Sequence, residues 1–240
     1  LPLFSTLYTA LVDDDDDVRS EAAAAASALL DIPTGMSAPV AADAIAAWLA
    51  CKYPVSSPIA TEEDDSLLRR AICRLTGSQN TPSDWEMVPA GEQLRAALDF
   101  DDSLFAAEEQ NLFVDEVREA RRWCAVLSQL FGSTAGAMTR IGHGYVSWLI
   151  EGLESLLNTA HSYNNGDDGP MGWTADQHVF AVCAKVVLGA VTVVKVYNGF
   201  EGGDEKETAD VRKVRELLEE FVRVGEKVRV HGALLEMARV

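Results

Sequence analysis

The 240-residue sequence predicts an all-α protein of antiparallel helix pairs, stacked as an open α-solenoid rather than closed into a bundle. Three observations carry this expectation. Apolar residues recur at alternating steps of three and four through most of the chain, which collects them on one face of a helix. No stretch shows the sustained two-residue alternation of a half-buried strand. Short breaks rich in Gly, Pro or Asp separate the periodic segments at helix-length intervals, and helices joined so closely bury their stripes by packing in pairs.

Leu3, Leu7 and Leu11 mark a first helix that ends at Asp13-Asp14-Asp15-Asp16-Asp17. Val18, Ala22, Ala25, Ala26 and Leu29 form the stripe of a second, with Arg19 just after the acidic turn. Asp near a helix start is favoured by the dipole, and Ala lets paired helices approach closely. This helix, acidic turn, helix unit resembles a HEAT repeat, in which turn Asp and following Arg stack against their equivalents in neighbouring repeats. The looser Asp115-Glu116-Val117-Arg118 is the other copy of that signature. Asp13, Asp15 and Asp17 also match the first ligands of a calcium loop, but Val18 and Ala24 stand where the loop needs Gly and a bidentate Glu. A solvated helix turn is the preferred reading.

After Pro33-Thr34-Gly35, residues 39–52 form a helix burying Ala41, Ala44, Ile45, Trp48 and Leu49, and Pro54 and Pro58 end it. Thr61 is placed to cap the next helix, whose apolar face is Leu68, Ala71, Ile72 and Leu75. Residues 77–90 read as loop with a short turn at Ser83-Asp84-Trp85-Glu86, and a short helix carrying Leu94, Ala97 and Leu98 follows.

The segment Glu109 to Trp123 opens the central helix. Phe113, Val117, Ala120, Cys124, Leu127 and Phe131 share its buried face, Asn111 is placed to cap its first turn, and Asp115 and Glu116 lie at the positive end of its dipole. Asn111-Leu112-Phe113-Val114-Asp115-Glu116-Val117-Arg118-Glu119, followed by Arg121, Arg122 and Trp123, resembles the segment shared by the animal THADA proteins and the related fungal auxiliary subunit of a tRNA ribose 2′-O-methyltransferase. The resemblance covers most of the chain as one C-terminal portion of a long HEAT/armadillo-like protein.

Beyond the break at Gly132 to Gly136, Tyr145, Trp148, Leu149, Gly152 and Leu156 lie at core spacing. Residues 161–172, with three glycines and Pro170, are expected to form an exposed, mobile loop. Thr174-Ala175-Asp176-Gln177 reads as a capping box for a helix apolar nearly all round from Val179 to Val196. That run holds Lys185 and Lys195 and is only as long as the shortest membrane spans, so a core helix enclosed by its neighbours is expected rather than a membrane segment. Gly199, Gly202 and Gly203 make a turn before a last long helix with Val211, Val214, Leu218 and Phe221 on one face and Arg212, Lys213 and Arg215 among acids on the other; its tail reads as continuing helical after Gly225.

The whole is read as a single helical-repeat domain over 1–240, with sub-units 1–110 and 111–240. Net charge is −18, and residues 1–110 hold 20 acidic residues against 6 basic ones, while 111–240 hold 18 against 14. Nucleic-acid binding rests on Lys and Arg displacing counterions, so DNA is not an expected partner and any tRNA contact falls to the second half or to a longer protein. Cys51, Cys73, Cys124 and Cys183 form no C-x-x-C pair and are expected to be buried, reduced thiols in a cytoplasmic protein. The chain starts at Leu1 without the basic start or cleavage site of a signal peptide, and reads as a fragment.

Catalytic motifs are sparse. His143, His161, His178 and His231 have no ligand at metal-site spacing, and Gly132 to Gly136 is neither a nucleophile elbow nor a phosphate loop. Adjacent Asp115 and Glu116 point about a quarter-turn apart on a helix. The expectation is therefore a non-enzyme that needs no cofactor. The family resemblance implies a scaffold for a tRNA 2′-O-methyltransferase acting on the anticodon loop, with Arg19, Asn111, Phe113, Asp115, Glu116, Arg118, Arg121, Arg122 and Trp123 as the interaction candidates. A generic helical-repeat adaptor between proteins is the alternative class, and chemistry by the acids of 111–119 with the 161–172 loop the weakest.

Overall fold

A computed structural model describes residues 2–11, 13, 15–31, 33, 35–53, 66–77, 87–99, 112–132, 140–163, 173–174, 176–198, 208–228 and 230–239. Among them all regular structure is helical. The helices are α1 (Pro2–Ala10), α2 (Asp16–Leu30), α3 (Ala38–Lys52), α4 (Ser66–Thr76), α5 (Ala90–Leu98), α6 (Leu112–Phe131), α7 (Arg140–Tyr163), α8 (Gln177–Asn198), α9 (Ala209–Gly225) and α10 (Gly232–Ala238).

From α4 onward each helix up to α8 packs on the one after next. Helix α4 packs on α6, α6 on α8, and α8 on α10, while α5 packs on α7 and α7 on α9. Alternate helices therefore form two layers, which is how a helical repeat stacks and why no pair buries its stripe alone. Helices α7 and α8 run antiparallel where the layers meet: Gly189 of α8 faces Tyr145 and Leu149 of α7, and Val186 faces Gly152. Helix α3 joins this stack through α6, and α1 and α2 pack on α3.

Helix α8 is long and apolar enough to cross a membrane by composition. Here it is sheathed by α4, α5, α6, α7, α9 and α10, and Val179, Ala181, Ala184, Val186 and Gly189, which lie on different sides of it, are all buried. A helix apolar all round is what a position inside a two-layer stack requires. Its closest approach to α7 is at Gly189, where a Cβ would collide with the Tyr145 hydroxyl and lie 2.9 Å from Leu149 Cδ2.

The predicted faces of α4 (Leu68, Ala71, Ile72, Leu75) and α9 (Val211, Val214, Leu218, Phe221) are buried as spaced. The face of α6 is wider than predicted, since Trp123, Val126 and Leu130 are buried beside Ala120, Cys124, Leu127 and Phe131. A helix with neighbours on several sides needs more than one stripe.

Several details differ from expectation. On α2 the buried residues are Ala22, Ala23, Ala26 and Ser27, whereas Val18, Ala25 and Leu29 are exposed. Six of its residues are Ala, so size gave no periodic signal; α3 takes the smallest face, where the backbones come closest, and leaves Val18 and Leu29 outward. Leu3 is likewise exposed, and Tyr8 with Leu11 anchors α1 instead. In α3, Ala42 and Ala46 are buried where Ala44 and Trp48 are only partly so. Helix α7 extends through Tyr163, three residues into the expected loop. Asp176, not Thr174, caps α8, its carboxylate accepting from the amides of His178 and Val179 at 2.8 and 3.1 Å. Thr174 is buried and its hydroxyl accepts from the His231 amide at 2.8 Å, so the threonine ties down the C-terminal segment. The tail does not continue α9: after Gly225 a turn leads to the separate α10. Cys51, in the last turn of α3, is an exposed thiol, while Cys73, Cys124 and Cys183 are buried, and none of the four forms a disulfide. The caps at Thr61 and Asn111 and the stretches 78–86, 164–172 and 199–207 lie outside the described residues.

Candidate functional site at the head of the central helix

The acidic run is a backbone device. Asp15 is the N-cap of α2, its carboxylate accepting from the amides of Asp17 and Val18 at 2.7 and 3.3 Å, and the Asp13 carboxylate accepts from the Asp15 amide at 3.0 Å. Two carboxylates thus satisfy the orphan donors of one helix start. Among the described residues no group of three or more His, Cys, Asp or Glu is placed to hold a metal ion.

The turn presents its carbonyl groups to arginines. Arg19 donates to the Asp13 carbonyl and pairs with Asp16. Arg118, arriving from α6, donates to the same carbonyl at 3.1 Å. The arginines of the two Asp-to-Arg signatures, ninety-nine residues apart in sequence, therefore converge on one oxygen.

One turn further along α6, the Arg122 guanidinium pairs with Asp43 at 3.1 Å and reaches the Pro39 carbonyl at 3.4 Å, both on α3. The Arg122 carbonyl accepts the Tyr8 hydroxyl. Tyr8 in turn stands edge-on to Trp123, ring centroids 5.3 Å apart, and Trp123 Nε1 donates to Glu119 at 3.2 Å. Burial pushes the Tyr8 phenol well above its ordinary range, against the opposing charge of Arg122. It acts as a neutral donor that joins α1 to α6.

On another side of α6, Glu116 forms an ion pair with Lys185 of α8. This pairing explains how a lysine sits inside an otherwise apolar helix: its stem is covered and its charge is met at the layer boundary. Arg121 is exposed. Phe113 and Asp115 belong to the first turn of α6.

Of the residues singled out in sequence, the structure gathers Arg19, Arg118, Arg122 and Trp123 around α1 and the acidic turn, and sends Glu116 to α8. Their partners Tyr8, Asp43 and Lys185 were not legible as such. Tyr8 lies three residues before Leu11, a helical spacing the leucine pattern masked; Asp43 carries no local signal. What the arrangement does is spend guanidinium groups on carbonyls and carboxylates of the same chain, fixing α1–α3 against the stack.

A family model described as the Trm72 ARM-like repeat region matches residues 59–240. The chain belongs to this family. It is the family of a tRNA methyltransferase auxiliary subunit, in its C-terminal portion, that the central segment resembles. No curated protein and no solved structure matches the chain. The ARM-like region takes in α4 to α10, the two layers and the Glu116–Lys185 pair; Tyr8, the acidic turn, Arg19 and Asp43 precede the matched residues. The arginine junction is thus where the helices before the family region are fastened to it.

Proposed function

We propose that this chain is a non-catalytic scaffold, part of an auxiliary subunit that holds a tRNA 2′-O-ribose methyltransferase and helps it act on a nucleotide of the anticodon loop. Membership of the Trm72 ARM-like family is the observation that carries this reading. Stacked helices offer extended surfaces for a protein partner, and Arg118 and Arg122 of α6 are engaged within the fold. The methyl donor and the reacting groups belong to the partner, tRNA is reached through the full-length protein, and the assembly works in the cytoplasm.

The test is to delete the segment from the full-length protein in cells and quantify 2′-O-methylated nucleosides of purified tRNAs by mass spectrometry, recovering bound proteins from the tagged wild type in parallel. Loss of a methyl group confined to the anticodon loop, with a methyltransferase among the recovered proteins, is expected. Unchanged methylation would refute the reading, and recovered partners without any methylation change would favour a general adaptor. The isolated chain should bind tRNA weakly at physiological salt, because its charge is −18; tight binding with a steep salt slope, reduced by Arg118→Ala, Arg121→Ala and Arg122→Ala together, would overturn the scaffold-only role.

A further inference from the structure

We draw no further inference here: the strongest candidate, the apolar surface patch that Leu3, Val18 and Leu29 expose between α1 and α2, carries nothing because nothing in the structure shows what covers it.

Discussion

The Tyr145 hydroxyl is fully buried between α7 and α8 and has no hydrogen-bond partner within the described structure. Gly189 makes room for it. An unsatisfied buried hydroxyl costs about 1–3 kcal/mol, so Tyr145→Phe should stabilise the chain, by about 1 kcal/mol at the low end of that range. Gly189→Ala involves two opposed effects. Alanine improves helix propensity by about 1 kcal/mol, yet its Cβ would collide with the Tyr145 hydroxyl and come within 2.9 Å of Leu149 Cδ2, an overpacking that costs about 1–3 kcal/mol in a dense core. The collision involves a rigid ring, and Phe131 and Trp148 stack on Tyr145 at 6.4 and 5.9 Å, so the ring cannot step aside and the net effect is destabilising. In the double variant the offending oxygen is gone, and the nearest ring carbon stands 3.2 Å from the new Cβ. Urea denaturation of the four proteins, compared at constant m, should therefore show a favourable coupling of about 1 kcal/mol or more. If Gly189→Ala stabilised the wild type, or if the two changes added to within about 0.5 kcal/mol, the close packing of α7 on α8 would not be as described.

Glu151 of α7 accepts from the amides of Ala90 and Gly91 at 2.8 and 3.0 Å and so caps α5 from another helix. Glu151→Gln should cost about 1–2 kcal/mol in thermal or urea unfolding, and no change would show that α5 caps itself. Glu116 and Lys185 pair across α6 and α8; with the Glu116 side chain 40% exposed, a double-mutant cycle with Glu116→Gln and Lys185→Met should return a coupling of about 0.5–1 kcal/mol, and zero coupling would reduce the pair to proximity. Burial pushes the Cys124 thiol from 9.0 up to about 12, a hydrogen bond with Thr192 opposing. Below pH 9 the thiol is neutral folded and unfolded; as pH rises from there the unfolded chain ionises first, so its contribution to stability is lost between pH 9 and about 12. Cys124→Ala should flatten the alkaline fall in stability, and an identical fall in both proteins would refute that account. In the same pH range below 9, thiol reagents should modify Cys51 promptly in the native chain and the buried three only on unfolding.

The sequence alone determined the helices, their breaks and most of their buried faces, because an apolar period of three to four, Gly and Pro stops and Asp at helix starts are local properties. It also carried the family, through the run from Asn111 to Trp123. Periodicity could not rank faces on α2, where alanine is nearly the same size in every direction, nor foresee that α6 and α8 are packed on several sides. Tertiary structure decided the partners. Arg19 and Arg118 share the Asp13 carbonyl, Lys185 finds Glu116, Glu151 caps a helix sixty residues earlier, and Thr174 serves the C-terminal segment instead of its own helix. A polar side chain long enough to reach another helix is assigned by which backbone groups the packing leaves unpaired beside it, and that depends on how the layers stack. The same stacking turned Val18 and Leu29 outward: the pairing of α2 with α3 was won by the smallest side chains, whose close approach gains more contact than burying the two larger ones would.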